Sequence, residues 1–433
     1  MTQPALRPAP PASVPPRRAL VAGSVGNFVE WYEFGVYGYF ATVIADLFFT
    51  PADGGGGGRA EALAGTYAAF AVAFFFRPVG AVLFGRLGDR VGRRPVLLLV
   101  VGLMTLSTTL IGLLPTYATA GAAAPWMLTA LRALQGLSAG GEFGGAVSLM
   151  TECAPPGRRG RYGAWQSFTV ALGLLAGAAV AAASATVLTE AALYDWGWRI
   201  PFLLTLPLGL TALHLRLTLP ETPAFHQPKP TAAPVPGTTV RTLLLGIGRI
   251  MGWSAAGYTF LVVLPSYLQV TLHASFRQAL IATVLANLGF AATILPAGAL
   301  SDRIGRRAVM LCGAGLVVLL ALPLLHLLRD PAAGTPAKAA ALLLAGAVVG
   351  LLAGPGPAML AEMFPTAVRC SGLATAYALS NAVFAGCAGL LVTELVRRTG
   401  NPDVPALYAA CACALSIPAL LTLHPDDHRR PLQ

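Results

Sequence analysis

Apolar stretches of about 20 residues, the length an α-helix needs to cross the hydrocarbon of a bilayer, recur twelve times along the chain. Of the 433 residues, 56% are hydrophobic and 11% are charged, whereas about 25% are charged in a typical soluble domain. The sequence therefore predicts an all-α membrane protein with twelve transmembrane helices, numbered helix 1 to helix 12 in chain order. They cover residues 19–48, 62–86, 95–115, 125–152, 162–187, 198–218, 241–270, 276–300, 307–328, 339–363, 371–396 and 404–424.

The chain is built from two related halves. Residues 85–94 read Gly-Arg-Leu-Gly-Asp-Arg-Val-Gly-Arg-Arg, and residues 298–307 repeat seven of these ten identities; the two stretches are named the first and second clasp. A second repeated phrase, Glu-x-x-Pro followed by an arginine, ends helices 4 and 10 at residues 152–159 and 362–369. We therefore predict two pseudo-symmetric six-helix bundles, 19–218 and 241–424, with a substrate site between them at mid-membrane depth.

Three polar segments complete the predicted organisation. A proline-rich disordered tail covers residues 1–18, a cytoplasmic linker covers 219–240, and a short tail covers 425–433. With the N-terminus inside, 19 of the 29 basic residues fall in inner segments. Cytoplasmic loops are enriched in Lys and Arg, so both termini are predicted to be cytoplasmic in a multi-pass protein of the bacterial inner membrane.

The basic residues lie in short loops rather than on one face, which excludes a nucleic-acid surface despite the formal charge of +11. The six cysteines show no Cys-x-x-Cys pairing, and the six histidines are scattered. No Ser/His/Asp set, metal-spaced cluster or phosphate-binding loop lies within the apolar runs. We expect no enzymatic activity, no metal and no cofactor beyond a proton gradient, and we expect a monomer in the lipid bilayer.

The doubled clasp, Gly-x-Leu-x-Asp-Arg-x-Gly-Arg-Arg, resembles the signature loop of the major facilitator superfamily. Four phrases resemble its metabolite:proton symporter family, whose members import proline and betaine, α-ketoglutarate, citrate or shikimate. These phrases lie at residues 26–34, 77–80, 135–142 and 196–202. The resemblance runs from about Leu20 to His424. It implies a carrier that opens alternately to each side of the membrane.

By the same resemblance, the clasps are latches that brace the closed inner side. The predicted latch residues are Asp89, Arg90, Arg93, Asp302, Arg303 and Arg306. A further gating element is predicted in helix 10, where Gly354, Pro355 and Pro357 remove backbone hydrogen bonds within an apolar run. This stretch is interpreted as a flex point of the gate or as a static kink.

Arg77 lies within helix 2, too deep for its charge to reach the surface easily. In α-ketoglutarate-type relatives the corresponding arginines are read as ligands of the substrate carboxylate, which points to Arg77 and Arg199. The alternatives are an internal ion pair between Arg77 and Glu30 or Glu33, and an interfacial anchor at Arg199. The other predicted substrate-binding residues are Tyr37, Gln135, Gln166, Trp253, Tyr258, Asn287 and Asn381, and helix packing explains the last four equally well.

Ionised groups at the bilayer centre cost about 2.5 to 3.5 kcal/mol each, so each needs a partner or a function. Glu30 and Glu33 lie on one stripe of helix 1, and two such close acids disfavour double ionisation, which suits a proton carrier. In helix 4, Arg132 and Glu142 share one face, and the segment resembles the superfamily's fourth-helix motif, whose arginine is associated with proton coupling. A structural ion pair is the alternative for each acid.

These features favour proton-coupled uptake of a small organic acid, such as a di- or tricarboxylate, because three arginines in or near the membrane face few acids. A zwitterionic compatible solute such as proline or betaine is the alternative. A chain that stops soon after helix 12 lacks the long coiled-coil tail of the osmosensing branch and is expected to favour the acid. Efflux by antiport is a weaker alternative, since helix 5 contains no proline.

Overall fold

The computed structural model describes residues 16–51, 58–91, 93–140, 142–218, 240–366, 368–430 and 432. Within these ranges the ordered segments are helical and no β-strand is present. Residues 1–15 of the predicted tail and residues 219–239 of the predicted linker lie outside the described residues. Helix 1 begins at Pro16, three residues before its predicted start.

The first half contains helices 1 to 6. Their segments are Pro16–Tyr39, Ala41–Ile44 and Ala45–Phe49 for helix 1, Arg59–Val91 for helix 2, Arg93–Leu113 for helix 3, Ala123–Ala139 and Glu142–Glu152 for helix 4, Arg159–Val187 for helix 5, and Leu193–Gly197, Arg199–Leu203 and Thr205–Thr218 for helix 6. Short helices Tyr117–Ala120 and Glu190–Ala192 lie in the connections.

The second half contains helices 7 to 12. Their segments are Val240–Tyr258, Thr259–Val263 and Leu264–Val270 for helix 7, Phe276–Ile304 for helix 8, Arg306–Arg329 for helix 9, Thr335–Ala353 and Gly356–Met363 for helix 10, Arg369–Ser380, Asn381–Gly386 and Ala388–Thr399 for helix 11, and Val404–Leu421 for helix 12. A 3-10 turn, Asp427–Arg429, follows.

Nine helices in the described part of the chain are long and apolar enough to cross a membrane: helix 2 and helices 5 to 12. Helix 3 contributes a shorter apolar stretch, Leu98–Leu113. Helix 4, predicted near 125–152, consists of the segments Ala123–Ala139 and Glu142–Glu152, and Gly140 after the first segment keeps helical dihedral angles. A Cβ atom at Gly140 would lie 2.0 Å from the Arg77 carbonyl oxygen, so helix 2 lies against helix 4 at this glycine.

The second clasp is more helical than a loop. Helix 8 continues to Ile304 and helix 9 starts at Arg306, so only Gly305 separates them. Gly305 has φ +93°, a left-handed conformation that glycine adopts without strain, and this allows the direct reversal. Asp302 therefore lies on the last turn of a helix rather than in a connecting loop.

The two halves repeat their internal packing. A Cβ atom on Gly136 of helix 4 would lie 1.8 Å from the Ala73 carbonyl oxygen of helix 2. A Cβ atom on Gly346 of helix 10 would lie 1.8 Å from the Ala286 carbonyl oxygen of helix 8. In both halves a glycine therefore allows the same close approach of two helices.

Helices 5 and 8 form a seam between the halves. A Cβ atom on Gly298 would lie 2.4 Å from the Ala164 methyl group and 2.7 Å from the Gly160 carbonyl oxygen. A second seam joins helices 2 and 11, where a Cβ atom on Gly389 would lie 2.2 Å from the Tyr67 ring.

Candidate functional site

A buried polar network joins helices 1, 3 and 4 in the first half. Glu33 is fully buried, and its Oε2 accepts hydrogen bonds from the Thr108 hydroxyl at 2.7 Å and the Gln135 amide at 3.4 Å. The Gln135 amide also donates to the Thr108 hydroxyl at 2.8 Å, and Arg132 donates to the Gln135 side-chain oxygen. Glu33 Oε1 has no hydrogen-bond partner among the described residues. The network holds one carboxylate near a guanidinium without direct contact between them.

Arg77 and Glu30 form an ion pair inside the first half. Their Nη2 and Oε1 atoms lie 3.0 Å apart, and the side chains are 5% and 4% exposed. The Arg77 guanidinium lies over the rings of Phe34 and Phe74 at 4.4 and 4.5 Å from the ring centroids. Arg77 was interpreted either as a substrate ligand or as the partner of an internal ion pair. The structure shows the internal ion pair with Glu30.

Arg132 is also surrounded by aromatic rings. Its guanidinium carbon lies 4.2 Å from the ring centroid of Tyr37 and 4.9 Å from that of Phe70. The Tyr37 hydroxyl donates to the Thr66 carbonyl at 3.0 Å. Cations over ring faces are stabilised by the ring quadrupole, which offsets part of the cost of burying the charge. Tyr37 and Gln135 therefore belong to the surroundings of Arg132.

An internal cavity of about 30 Å³ lies between the halves. Trp253, Tyr258 and Asn381, three of the predicted substrate-binding residues, line it. Asn381 stands at the first residue of the π-helical segment Asn381–Gly386, and π-helical turns are frequent at functional sites. Lining residues that were not predicted are Trp31, Ser167, Val170, Leu174, Ser254, Gly257, Leu261, Val262, Phe290 and Tyr377.

The remaining predicted substrate residues do not line the cavity. Gln166 donates to the Asn27 side-chain oxygen at 3.2 Å, next to the cavity residue Ser167. Asn287 donates to the Tyr39 hydroxyl at 3.2 Å. Arg199 donates to the carbonyl oxygens of Gly112 and Leu114 at 2.8 and 2.9 Å. Its guanidinium therefore binds the backbone and is not arranged to bind a carboxylate.

Glu142 is 5% exposed and starts the second segment of helix 4. Thr108 was not predicted, because hydroxyl residues in an apolar helix resemble packing positions.

Helix 7 did carry a detectable signal. Trp253, Ser254, Gly257 and Tyr258 recur at spacings of one, three and one, which places all four on one helix face.

Helix 10 is broken at the predicted position. Gly354 and Pro355 form a turn between Ala353 and Gly356. Pro357 has no N–H to donate to the Ala353 carbonyl oxygen four residues before it. The Ser167 hydroxyl of helix 5 donates to that oxygen at 2.8 Å, so the other half of the molecule satisfies the freed carbonyl.

The second clasp binds the start of helix 5. Asp302 Oδ1 accepts from the Gly160 backbone N–H at 2.7 Å and Oδ2 from the Arg161 N–H at 2.9 Å. Arg306 bonds the same carboxylate at 2.8 Å, whereas Arg303 is exposed. The side chains of Asp89, Arg90 and Arg93 in the first clasp lie outside the part of the chain that the structure describes.

The second repeated phrase forms reciprocal ion pairs between the halves, a role not inferred from the sequence. Arg369 of the second half binds Glu152 of the first at 2.6 Å, and Arg159 of the first half lies 3.4 Å from Glu362 of the second. Arg306 also binds Glu362, at 3.1 Å. Each glutamate of the repeat therefore pairs with the arginine of the other copy.

Hydrogen bonds also join the halves beyond the opposite end of the cavity. The hydroxyls of Tyr67 and Ser266 lie 2.7 Å apart, and the Thr42 hydroxyl donates to the Gln269 side-chain oxygen at 2.9 Å. The halves are therefore in contact both at the clasp end and at the opposite end.

Comparisons with known proteins identify the fold and the family. The family described as Sugar (and other) transporter matches residues 19–232, and the Major Facilitator Superfamily matches residues 242–433. The proline/betaine transporter of Escherichia coli (strain K12) is 35% identical, with 96% of this chain and 85% of that protein covered. The citrate-proton symporter of Salmonella typhi is 34% identical, with 93% of each covered.

The solved structure of the Escherichia coli xylose transporter XylE in a partially occluded inward open conformation matches with a TM-score of 0.74. The match covers 94% of this chain and 96% of that one at 18% identity. The predicted fold class, two six-helix bundles of twelve transmembrane helices, is confirmed by this likeness. The resemblance found in the clasps and the four phrases is also confirmed: the chain belongs to the major facilitator superfamily and is a membrane transporter of the symport type, not an enzyme.

Proposed function

We propose that this protein carries a zwitterionic compatible solute of the proline or betaine type into the cell together with protons. The charge balance of the site carries this proposal. Arg77 is neutralised by Glu30 at 3.0 Å, and the residues lining the cavity bear no ionised side chain. A substrate whose own charges cancel fits such a cavity at a lower desolvation cost than a di- or tricarboxylate.

The prediction of an organic acid depended on three arginines that face few acids. Arg77 is held by Glu30, and Arg199 is held by two backbone carbonyls. Arg132 contacts Gln135 and three aromatic rings. Since these guanidinium groups already have protein partners, a zwitterionic substrate is favoured over an organic acid. The 35% identity to a proline/betaine transporter supports the same choice.

Glu33 is the proposed proton carrier. It is completely buried, and its hydrogen bonds come from the neutral groups of Thr108 and Gln135. A buried carboxylate without a directly bound cation favours its protonated form. Arg132 lies beyond Gln135, where a small movement of the amide would let the guanidinium reach the carboxylate and favour proton release. Glu30, paired with Arg77, and the buried Glu142 are the other candidates.

Transport is proposed to alternate by opening one closed end of the cavity at a time. The clasp end, with Asp302, Arg306 and Glu362, is assigned to the cytoplasm because basic residues are concentrated there. The break at Gly354 and Pro355 in helix 10 is the proposed flex point. We place the protein in the bacterial cytoplasmic membrane with both termini inside.

Uptake into proteoliposomes tests this function. With an imposed inward proton gradient, labelled proline or glycine betaine is expected to accumulate, and a proton ionophore is expected to abolish the accumulation. The variant Glu33→Gln is expected to lose gradient-driven accumulation while keeping exchange of internal for external solute, because the neutral amide fixes one charge state. Glu61→Gln, at an exposed glutamate that starts helix 2, is the matched control and should behave as wild type.

Absence of gradient-driven uptake of every zwitterion would refute the proposal. Proton-coupled uptake of an organic acid is the second candidate, because the citrate-proton symporter is almost as similar to this chain as the proline/betaine transporter. Citrate and α-ketoglutarate in the same vesicles distinguish the two, and expulsion of solute against the gradient would indicate an antiporter.

A further inference from the structure

The cavity between the halves has aromatic walls from both of them. Trp31 comes from helix 1, whereas Trp253, Tyr258 and Tyr377 come from helices 7 and 11. The ring centroids of Trp31 and Tyr258 lie 6.0 Å apart, and those of Trp253 and Tyr377 lie 5.9 Å apart. The ring pairs are tilted by 58° and 51°, so they do not stack on each other. All four side chains line the same cavity.

Two buried hydroxyls in the same cavity have no hydrogen-bond partner among the described residues. Ser254 Oγ and the Tyr258 hydroxyl belong to side chains that are only 4% and 6% exposed. Buried polar groups in folded proteins almost always have a partner, so hydroxyls left without one point to a missing acceptor or donor. Both lie on one face of helix 7, beside the Trp253 ring.

The Trp253 ring is fixed by the break in helix 10. A Cβ atom on Gly356 would lie 2.8 Å from the ring, so the glycine provides the space in which the indole sits. Tyr377 is covered on one face by Phe143, with ring centroids 3.5 Å apart and planes 7° apart. The Trp253 and Tyr377 rings of the aromatic wall are therefore packed against neighbouring residues.

Aromatic faces attract a cation electrostatically but accept no strong hydrogen bond. A primary or secondary ammonium brings N–H groups that lose their water on entering such a wall, and this loss is costly. A trimethylammonium group has no N–H to satisfy and spreads its charge over methyl groups. Rings without a neighbouring carboxylate in the lining therefore favour the fully methylated cation.

We propose that Trp31, Trp253 and Tyr377 form a cage for a quaternary ammonium, and that Ser254 and Tyr258 donate hydrogen bonds to the carboxylate of the same substrate. This assignment rests on the proposed zwitterion transport and specifies which zwitterions bind best. It names a betaine, rather than proline or an unmethylated amino acid, as the preferred chemistry. No covalent step is involved.

A methylation series at constant charge tests the cage. Binding of glycine betaine, dimethylglycine, sarcosine and glycine to the purified transporter is measured from the shift in thermal unfolding. Affinity is expected to fall at each lost methyl group, by about tenfold or more over the series. The isostere 3,3-dimethylbutyrate, an anion that keeps the shape and the carboxylate but has a neutral carbon in place of the cationic nitrogen, is expected to bind at least about tenfold more weakly than glycine betaine.

Three variants separate the cage from general packing. Trp253→Leu should remove most of the difference in affinity between glycine betaine and its less methylated analogues. Trp253→Phe should restore most of that difference, because it provides a ring face again. Trp126→Leu, the same change at a tryptophan that is 76% exposed, should leave the series unchanged. A fluorescence-detected sizing profile identifies any variant that fails to fold, and the isostere comparison in the wild-type protein needs no variant.

The outcomes distinguish the two proposals. Proton-driven uptake of proline with a flat methylation series, or with the isostere as effective as glycine betaine, would overturn the cage and leave the transport proposal standing. Graded binding without proton-driven uptake would support the cage and overturn the transport proposal. A preserved series in Trp253→Leu would also overturn the cage.

Discussion

The two halves of the molecule share a backbone arrangement and differ in chemistry. Gly136 and Gly346 let helices 4 and 10 approach the carbonyls of helices 2 and 8 at the same calculated distance, 1.8 Å from an added Cβ. Residues of the first half with ionisable or amide side chains correspond through the repeat to apolar residues of the second. The pairs are Arg77 with Phe290, Arg132 with Leu342, Gln135 with Ala345, and Glu142 with Leu352.

This difference indicates a division of labour. Both halves have a glycine where a Cβ would meet a backbone carbonyl, which cannot move aside. The ionisable and amide side chains of the interior differ between the halves. The first half holds the groups suited to protons, and the second half contributes most of the uncharged lining of the cavity. Four changes test how far this comparison holds, from the largest expected effect to the smallest.

Arg77→Phe gives the first half the residue that the second half carries. We expect a loss of about 3 to 5 kcal/mol, because removing one member of a buried ion pair leaves an uncompensated charge in a low-dielectric interior. The midpoint of thermal unfolding in detergent measures it. The double variant with Glu30→Gln should recover most of the loss. A single variant as stable as wild type would show that the pair is dispensable.

Gly136→Ala and Gly346→Ala test the shared packing. Each added methyl meets a backbone carbonyl, so each change should cost about 3 kcal/mol, and the two costs should be similar. Gly102→Ala and Gly315→Ala are matched controls, since a Cβ at either contacts nothing within 4 Å. These two glycines are also equivalent in the repeat. Clearly unequal costs at Gly136 and Gly346 would break the comparison.

The two reciprocal ion pairs, Glu152 with Arg369 and Glu362 with Arg159, should stabilise the contact between the halves unequally. Glu362 is 7% exposed and binds both Arg159 and Arg306, whereas Glu152 is 42% exposed in its pair with Arg369. Glu362→Gln should therefore weaken the contact between the halves by about 2 kcal/mol, and Glu152→Gln by less than about 1 kcal/mol. Opening of the contact between the halves is measured from the accessibility of cysteine side chains on the clasp side. A larger effect at Glu152 would reverse the assignment of the stronger latch.

Arg199→Gln should have the smallest effect, about 1 kcal/mol of stability, because the guanidinium loses two backbone hydrogen bonds at a half-buried site. The concentration of solute giving half-maximal uptake should not change. A large rise in that concentration, with unaltered stability, would return Arg199 to the substrate-binding role implied by the family resemblance.

The sequence predicted the number and order of the helices because length and hydropathy are local properties. The break at Gly354 was also predictable, since proline removes a hydrogen bond in any context. The close approach of helix 2 to Gly140 was not, because it depends on a contact between distant parts of the chain. The π-helical segments escaped prediction for a similar reason: one added residue per turn leaves no mark in composition.

For the candidate site, the acids and arginines were found because charges are conspicuous in apolar helices. Their pairing was left open, and Arg77 with Glu30 corresponds to the alternative weighed against a ligand role. Trp31, Ser254 and Tyr377 were missed because single aromatic and hydroxyl residues are common in packed helices. Only contacts across the two halves give these residues a shared position.

The hydrogen bond from Ser167 to Ala353 has a consequence for the energetics of opening. It satisfies, from one half, a carbonyl that Pro357 leaves unpaired in the other. Separating helices 5 and 10 at this level strands that oxygen, and an unsatisfied buried carbonyl costs about 1 to 3 kcal/mol. A water molecule entering with the movement removes the cost. Helices 5 and 10 therefore separate readily only when water enters between them, so solvent takes part in the conformational step.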